Sequence, residues 1–210
     1  MLIPRMTGAL RLAIGNPVNG SNVTVTGTGA IASPYVINAI YGSNAHNIGE
    51  LFGGGIVFWI DNTGQHGLIV SLFNTSQSST WSTIYNVLIG PTAQSTWNGQ
   101  ANSTAMIYHP AAISSSAKLC NSYSNPNHGT GIYSDWYLPA VDELSLVYHA
   151  RYLLNKVIAG ESGVPFLSDV NYWSSTEFDA QNAKNYYFSN GEAGENSKNS
   201  TNVVRCVRDF

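Results

Sequence analysis

Charge is scarce in this chain. Asp, Glu, Lys and Arg make up 10% of its 210 residues, well under the usual quarter. Nine basic residues against twelve acidic ones leave a formal charge of −3. A nucleic-acid partner asks for a basic face, and Lys and Arg here are too few and too scattered to form one. No apolar run approaches the ~20 residues that cross a bilayer, so membrane insertion is not expected. Met1 to Leu12 carries Pro4, Arg5 and Arg11 and lacks a continuous apolar centre. It does not read as a secretion signal, which leaves a leader outside these residues, or another route out of the cell. Cysteine occurs only as Cys120 and Cys206, with no Cys-x-x-Cys or His-x-x-x-His spacing beside them. That argues against a thiolate metal site and leaves two buried thiols or a long-range disulfide as alternatives. A Gly-x-Ser-x-Gly elbow is missing too. His46, His66, His109, His128 and His149 are scattered, each reading as a surface or satisfied histidine. No enzyme is expected.

What is abundant is Asn, Ser, Thr and Gly, with 11% aromatics. Disorder needs high charge and few aromatics, so this composition reads as a folded, β-rich extracellular or virion protein. Residues 1–47 hold too little apolar mass for their own core. Short β-prone runs, Val23 to Thr26 and Tyr35 to Ile37, are punctuated by Asn19-Gly20, Gly27-Thr28-Gly29 and Ser33-Pro34. The expectation is an extended β-rich stalk or oligomerisation arm, with a flexible leader as the alternative.

From residue 48 to 210 the pattern is that of one domain. Ile56 to Ile60 and Leu68 to Leu72 flank Asp61-Asn62-Thr63-Gly64, which predicts a β-hairpin. Both strands are apolar on both faces and should be buried. Asn74 to Gly99 is polar and reads as a long surface excursion. Ser103 to Tyr123 is the first helix candidate, with a kink or start at Pro110. The second runs from Val141 to Ile158, with Asp142 and Glu143 at its positive end and Lys156 at its negative end. Strands follow at Tyr172 to Thr176, Asn185 to Ser189 and Val203 to Val207, with a turn at Asn190-Gly191. The order of strands, two helices, then strands predicts an α+β domain.

Three segments, taken together, resemble a known family. They are Asp135-Trp136-Tyr137-Leu138-Pro139-Ala140-Val141-Asp142-Glu143-Leu144, Tyr172-Trp173-Ser174-Ser175-Thr176-Glu177 and Val204-Arg205-Cys206-Val207-Arg208. Their order and spacing, with Ala111-Ala112 and Cys120 upstream, resemble the C-terminal domain of bacterial collagen-like adhesins such as that of Legionella. Ala140 stands where that family often carries a Ser or Thr able to cap the helix. The resemblance implies a C-type-lectin-like fold, two helices packed on short antiparallel sheets, with a disulfide tying the first helix to the last strand. Cys120 and Cys206 occupy those two places. Closing so long a loop would remove on the order of 4–5 kcal/mol of unfolded-state entropy. Trp136 and Trp173 are then core aromatics. Formylglycine-generating enzymes share the fold but need two neighbouring late cysteines, and only Cys206 is late.

Residues 178–202 also resemble the variable surface of proteins diversified by retroelements. Ala183, Phe188, Gly191, Lys198 and Arg205 read as scaffold, and the Asn, Tyr, Ser and acidic positions between them as contact surface. Strand alternation puts Asn185, Tyr187 and Ser189 on one face, the expected ligand side. The full expected ligand-binding set is Phe178, Asp179, Gln181, Asn182, Asn185, Tyr187, Ser189, Glu192, Glu195, Asn196 and Asn199. Tyr and Asn give rigid contact area and adaptable hydrogen bonds. Glu192, Glu195, Asn196 and Asn199 offer oxygens of the kind calcium takes, but the Glu-Pro-Asn triplet of sugar-binding C-type lectins is absent. No cofactor is expected. The expected role is a receptor-binding tip on a phage tail fibre, homotrimeric, facing a host-surface protein or glycan. The alternatives are a glycan-binding adhesin of a bacterial cell surface and a structural virion or cell-wall component. Either way the location is the virion or the cell exterior.

Overall fold

The computed structural model describes residues 45–125, 128, 131–166 and 168–210, with Ala32 and the backbone of 23–26 and 36–39. Contacts divide the chain into Met1–Ala45 and His46–Phe210. In the first unit β1 (Val23–Thr26) pairs antiparallel with β2 (Val36–Ala39), Val23 opposite Ala39 and Thr26 opposite Val36. Both strands fall on β-prone runs. The turn signals around them, and so the expected arm or leader, lie outside the described residues.

The second unit opens with β3 (Leu51–Phe52), β4 (Gly55–Ile60) and β5 (Gly67–Thr80). A short 3-10 helix (Pro91–Ala93), α1 (Gly99–Tyr108), α2 (Ser116–Asn121) and α3 (Val141–Ile158) follow. The unit closes with β6 (Asn171–Glu177), β7 (Asn182–Tyr187), β8 (Glu192–Ser197) and β9 (Thr201–Asp209). One sheet of seven strands has the order β3-β4-β5-β9-β6-β7-β8. Only β6 and β9 run parallel; the other neighbours are antiparallel.

The α+β class holds, but two details of the expectation need correction. There is one mixed sheet instead of several short antiparallel ones, and it carries three described α-helices. The first correction traces to β5. It runs for 14 residues and follows β9 through register shifts beyond Val70, absorbing the start of the supposed surface excursion. Trp81, in that same stretch, is fully buried and donates from Nε1 to the Ser174 carbonyl at 2.7 Å. The second correction traces to residues 109–115. The expected single helix is split there into α1 and α2, around Pro110. Asn98 caps α1, accepting from Ala101 N–H, and Ser115 caps α2, accepting from Lys118 N–H.

Both faces of the sheet are covered over its central strands, so those strands are apolar on both sides. Ile56, Phe58, Val70, Leu72, Tyr172, Phe188 and Val207 pack against α3 through Leu144, Val147, Leu154 and Ile158. On the other face Val57, Ile69, Trp173, Val204 and Cys206 pack with Trp81, Met106, Trp136 and Cys120. The Cys120–Cys206 disulfide, Cα atoms 5.4 Å apart, ties α2 to β9 across 86 residues of sequence. Trp136 and Trp173 are buried, as expected of core aromatics. Ala140 provides no side-chain cap to α3. The Glu143 carboxylate accepts from the Ala140 N–H instead, at 2.7 Å.

Candidate functional site

The expected contact residues sit at the outer edge of the sheet, on β7, β8 and their turns. Register pairs Lys184 with Glu195, Asn185 with Gly194 and Tyr187 with Glu192. Phe178, Gln181, Ser189, Glu192, Glu195 and Asn199 are exposed; Asp179, Asn182, Tyr187 and Asn196 are half-buried. The pleat divides them. Glu195 lies on one face with Lys184, whose ammonium also stands 4.4 Å from the Phe178 ring centroid. Tyr187, Glu192 and Asn196 lie on the other.

One expectation is overturned. Asn185 is fully buried, and no protein group pairs with its side-chain amide. It stands opposite Trp173, on a face of the sheet that is interior at this point. Alternation separates wet from dry only where one face is solvated, and here both are covered near β6. Two further residues are engaged in local hydrogen bonds. Asp179 accepts from the N–H groups of Gln181 and Asn182, at 2.8 and 2.6 Å. Its bonds with Asn182 hold its carboxyl below the usual range. Asn199 accepts from the Ser197 hydroxyl at 2.7 Å.

Behind this edge lies an ionic interior. Lys198 has no exposed surface. Its ammonium donates to Glu177 Oε1 at 2.6 Å and to the carbonyls of Val87 and Ala180, at 3.0 and 3.1 Å. Glu177 in turn accepts from the N–H groups of Ile89 and Gly90. One ion pair thus pins the 87–90 loop, the end of β6 and the turn before β9. Arg205 is buried as well. It donates to the carbonyls of Ser71 and Val164 and to the Asn74 side chain, and stacks over Phe166. Burial pulls its pKa down to about 10. Arg208 grips Asp135 with two bonds, at 2.6 and 2.8 Å.

A second feature was not read from the sequence. At the other end of β9, about 26 Å away at 3.3 Å per residue, a cleft of about 440 Å³ opens. Trp59, Trp97, Tyr137 and Phe210 give it aromatic walls, and Glu143 and Asp209 line it. The rings of Trp59 and Trp97 meet edge to face, centroids 5.8 Å apart. The Tyr137 hydroxyl donates to Asp209 Oδ1 at 2.6 Å and lies 3.4 Å from Glu143 Oε1. Glu143 also accepts from the N–H of Gly99, the first residue of α1. Its carboxylate therefore sits at the N-termini of two helices. Burial, and secondarily the charge of Asp209, still push its pKa up to about 7. Burial likewise pushes the Tyr137 phenol far up. The sequence shows these groups only as four distant segments, so nothing local marked them. Among the described residues no group of three or more His, Cys, Asp or Glu converges to hold a metal.

The architecture defines a class: an α+β domain with a disulfide-tied, doubly covered sheet and a polar outer edge. Residues 72–208 match the family model of the Lcl C-terminal domain, and the chain belongs to that family. No curated protein matches the chain. Among solved structures, its fold is similar to that of a fimbrial protein from Bacteroides ovatus, with a TM-score of 0.55 and 17% identity. That alignment covers 88% of this chain and 48% of the other, so the chain spans about half the length of that protein. No helix among the described residues is long and apolar enough to cross a membrane.

Proposed function

We propose that the second unit is the binding domain of a surface-exposed adhesin, and that the β7–β8 edge meets its ligand. One observation carries this reading: the exposed polar and aromatic edge stands directly on a buried frame held by an ion pair. Lys198, Glu177 and the buried Phe188 fix the backbone from which Phe178, Tyr187, Glu192 and Glu195 project. Loops and edges on a rigid scaffold are where binding residues concentrate. Family membership and the fimbrial likeness favour a role at a surface. The C-type-lectin-like reading of the fold draws on the disulfide between helix and last strand and on β5, near the domain's start, pairing with β9. Within this reading the domain is the tip of a phage tail fibre, homotrimeric and without enzymatic activity or need for calcium. Its ligand is a host-surface protein or glycan. A bacterial glycan-binding adhesin would use the same edge.

The test is adsorption of the labelled chain to panels of bacterial cells and to a glycan array. A Phe178→Ala/Tyr187→Ala/Glu192→Ala variant should lose at least about tenfold in binding with its melting temperature nearly unchanged. Unchanged adsorption would move the ligand away from this edge. Sequencing the gene's 3′ end across a population tests diversification. Substitutions concentrated in residues 178–202, sparing Phe188 and Cys206, support it, and evenly spread changes oppose it.

A further inference from the structure

We propose that the cleft framed by Trp59, Trp97, Tyr137, Glu143, Asp209 and Phe210 binds an organic ammonium group. Its walls suit a cation. Aromatic faces attract ammonium groups, and Trp does so best. Trp81, Trp136 and Trp173 are buried to 2% exposure or less, whereas Trp97 is 46% exposed and forms an open corner with Trp59. The floor is closely built: a side chain at Gly67 would collide with the Trp59 carbonyl and the Phe210 ring.

Charge then selects among ligands. Two carboxyl groups converge on one phenol, Asp209 at 2.6 Å and Glu143 at 3.4 Å, and His66 is the one basic residue in the lining, with no Lys or Arg. Sulfated, phosphorylated or carboxylated ligands are therefore repelled. A neutral sugar could stack on the tryptophans, but it would leave the Asp209 carboxylate without a counter-charge. An ammonium group in the cleft meets the rings and the Asp209 carboxylate together. The acids are also held in place. Glu143 accepts from backbone N–H groups of α1 and of the residue before α3, and Asp209 from Tyr137. The cost of ordering them is met on folding instead of on binding. Primary amines, such as a lysine side chain or an amino sugar, and quaternary ones share this chemistry.

The test is a tryptophan-fluorescence titration of the full chain, since the three other tryptophans are shielded. Choline and n-butylamine should each give a saturable change, and the tighter of the two identifies the amine class. Their uncharged counterparts, 3,3-dimethylbutan-1-ol and butan-1-ol, should bind at least about tenfold more weakly. Asp209→Asn, which still accepts from Tyr137, should weaken ammonium binding by a similar factor while leaving the melting curve intact. Calorimetry with Trp97→Ala should show the same loss. Alcohols binding as tightly as amines, or no saturation with either amine up to about 50 mM, would overturn the proposal. The Phe178→Ala/Tyr187→Ala/Glu192→Ala variant should titrate normally, so this site and the β7–β8 edge succeed or fail separately.

Discussion

Two Lys–Glu pairs lie close together in sequence and do opposite things. Lys198 and Glu177 are wholly buried, and every ammonium donor has an acceptor. Lys184 and Glu195 face each other across the β7–β8 hairpin with their side chains 26% and 41% exposed. The chemistry is the same; the surroundings decide its weight. A buried pair that loses one partner leaves an uncompensated charge in a low dielectric. An exposed pair loses only a screened attraction that was already offset by side-chain ordering. The contrast marks where change costs little and where it costs much: at the exposed side chains of the outer hairpin and in the interior behind them, respectively.

The disulfide is the strongest element of that interior, and its removal is the largest expected effect. Its loop spans 86 residues, so Cys120→Ser with Cys206→Ser should cost about 4–5 kcal/mol by loop-closure entropy. Urea unfolding of the double variant, and of the native chain with and without reductant, measures this. Next comes Lys198→Met. It strands Glu177 in the core and should cost about 3–5 kcal/mol, read from the same unfolding curves. If Lys198→Met melted like the native chain, the division between fixed interior and free edge would fail at its centre.

Glu143 extends the comparison to the far end of β9 through pH. Its folded pKa, about 7, stands above the ordinary value of 4.5. The folded state therefore keeps a proton that the unfolded chain has released. Stability from this group is full below pH 4.5, falls as pH rises to about 7, and is level above that. Two and a half pH units correspond to about 3 kcal/mol. Glu143→Gln cannot ionise. Its stability relative to the native chain should improve by that amount between pH 4.5 and 7, whatever constant offset the lost hydrogen bond adds. Thermal melts at half-unit pH steps provide the check. A constant difference would mean that Glu143 ionises normally in the fold.

Much of the frame was legible in the sequence because local chemistry set it. α3 spans Val141 to Ile158 as its charge pattern predicted. The turn at Asn190-Gly191 needs the positive φ of 80° that Gly191 adopts. Ala183, Phe188, Lys198 and Arg205, read as scaffold, are all buried. β8 was missed because Glu192-Ala193-Gly194-Glu195-Asn196-Ser197 has no apolar alternation. It is an edge strand defined by its hydrogen bonds to β7 alone. The continuation of β5 past Asn74 was missed for a similar reason: polar residues there follow β9 through bulges. Asn185 was placed on the wet side because a period of two says which residues share a face but not which face is dry. The cleft was invisible because Trp59, Trp97, Glu143 and Asp209 meet only after the sheet has formed.

The smallest expected effect is the sharpest test of the contrast. Lys184→Ala removes the exposed ion pair and the cation over Phe178, yet should shift stability by less than about 1 kcal/mol. The reason is positional. β8 is the terminal strand of the sheet, and water can hydrate Glu195 once its partner is gone. Tyr187 behaves differently on the same hairpin, because its ring lies against Gly194 and a side chain there would collide with it. Gly194→Ala should therefore destabilise more than Lys184→Ala, although both change the outer edge. Melting the two variants side by side measures how far tolerance reaches into the hairpin. If Lys184→Ala proved the costlier, the edge would depend on its charges as the interior does, and a freely varying binding surface could not be built on it.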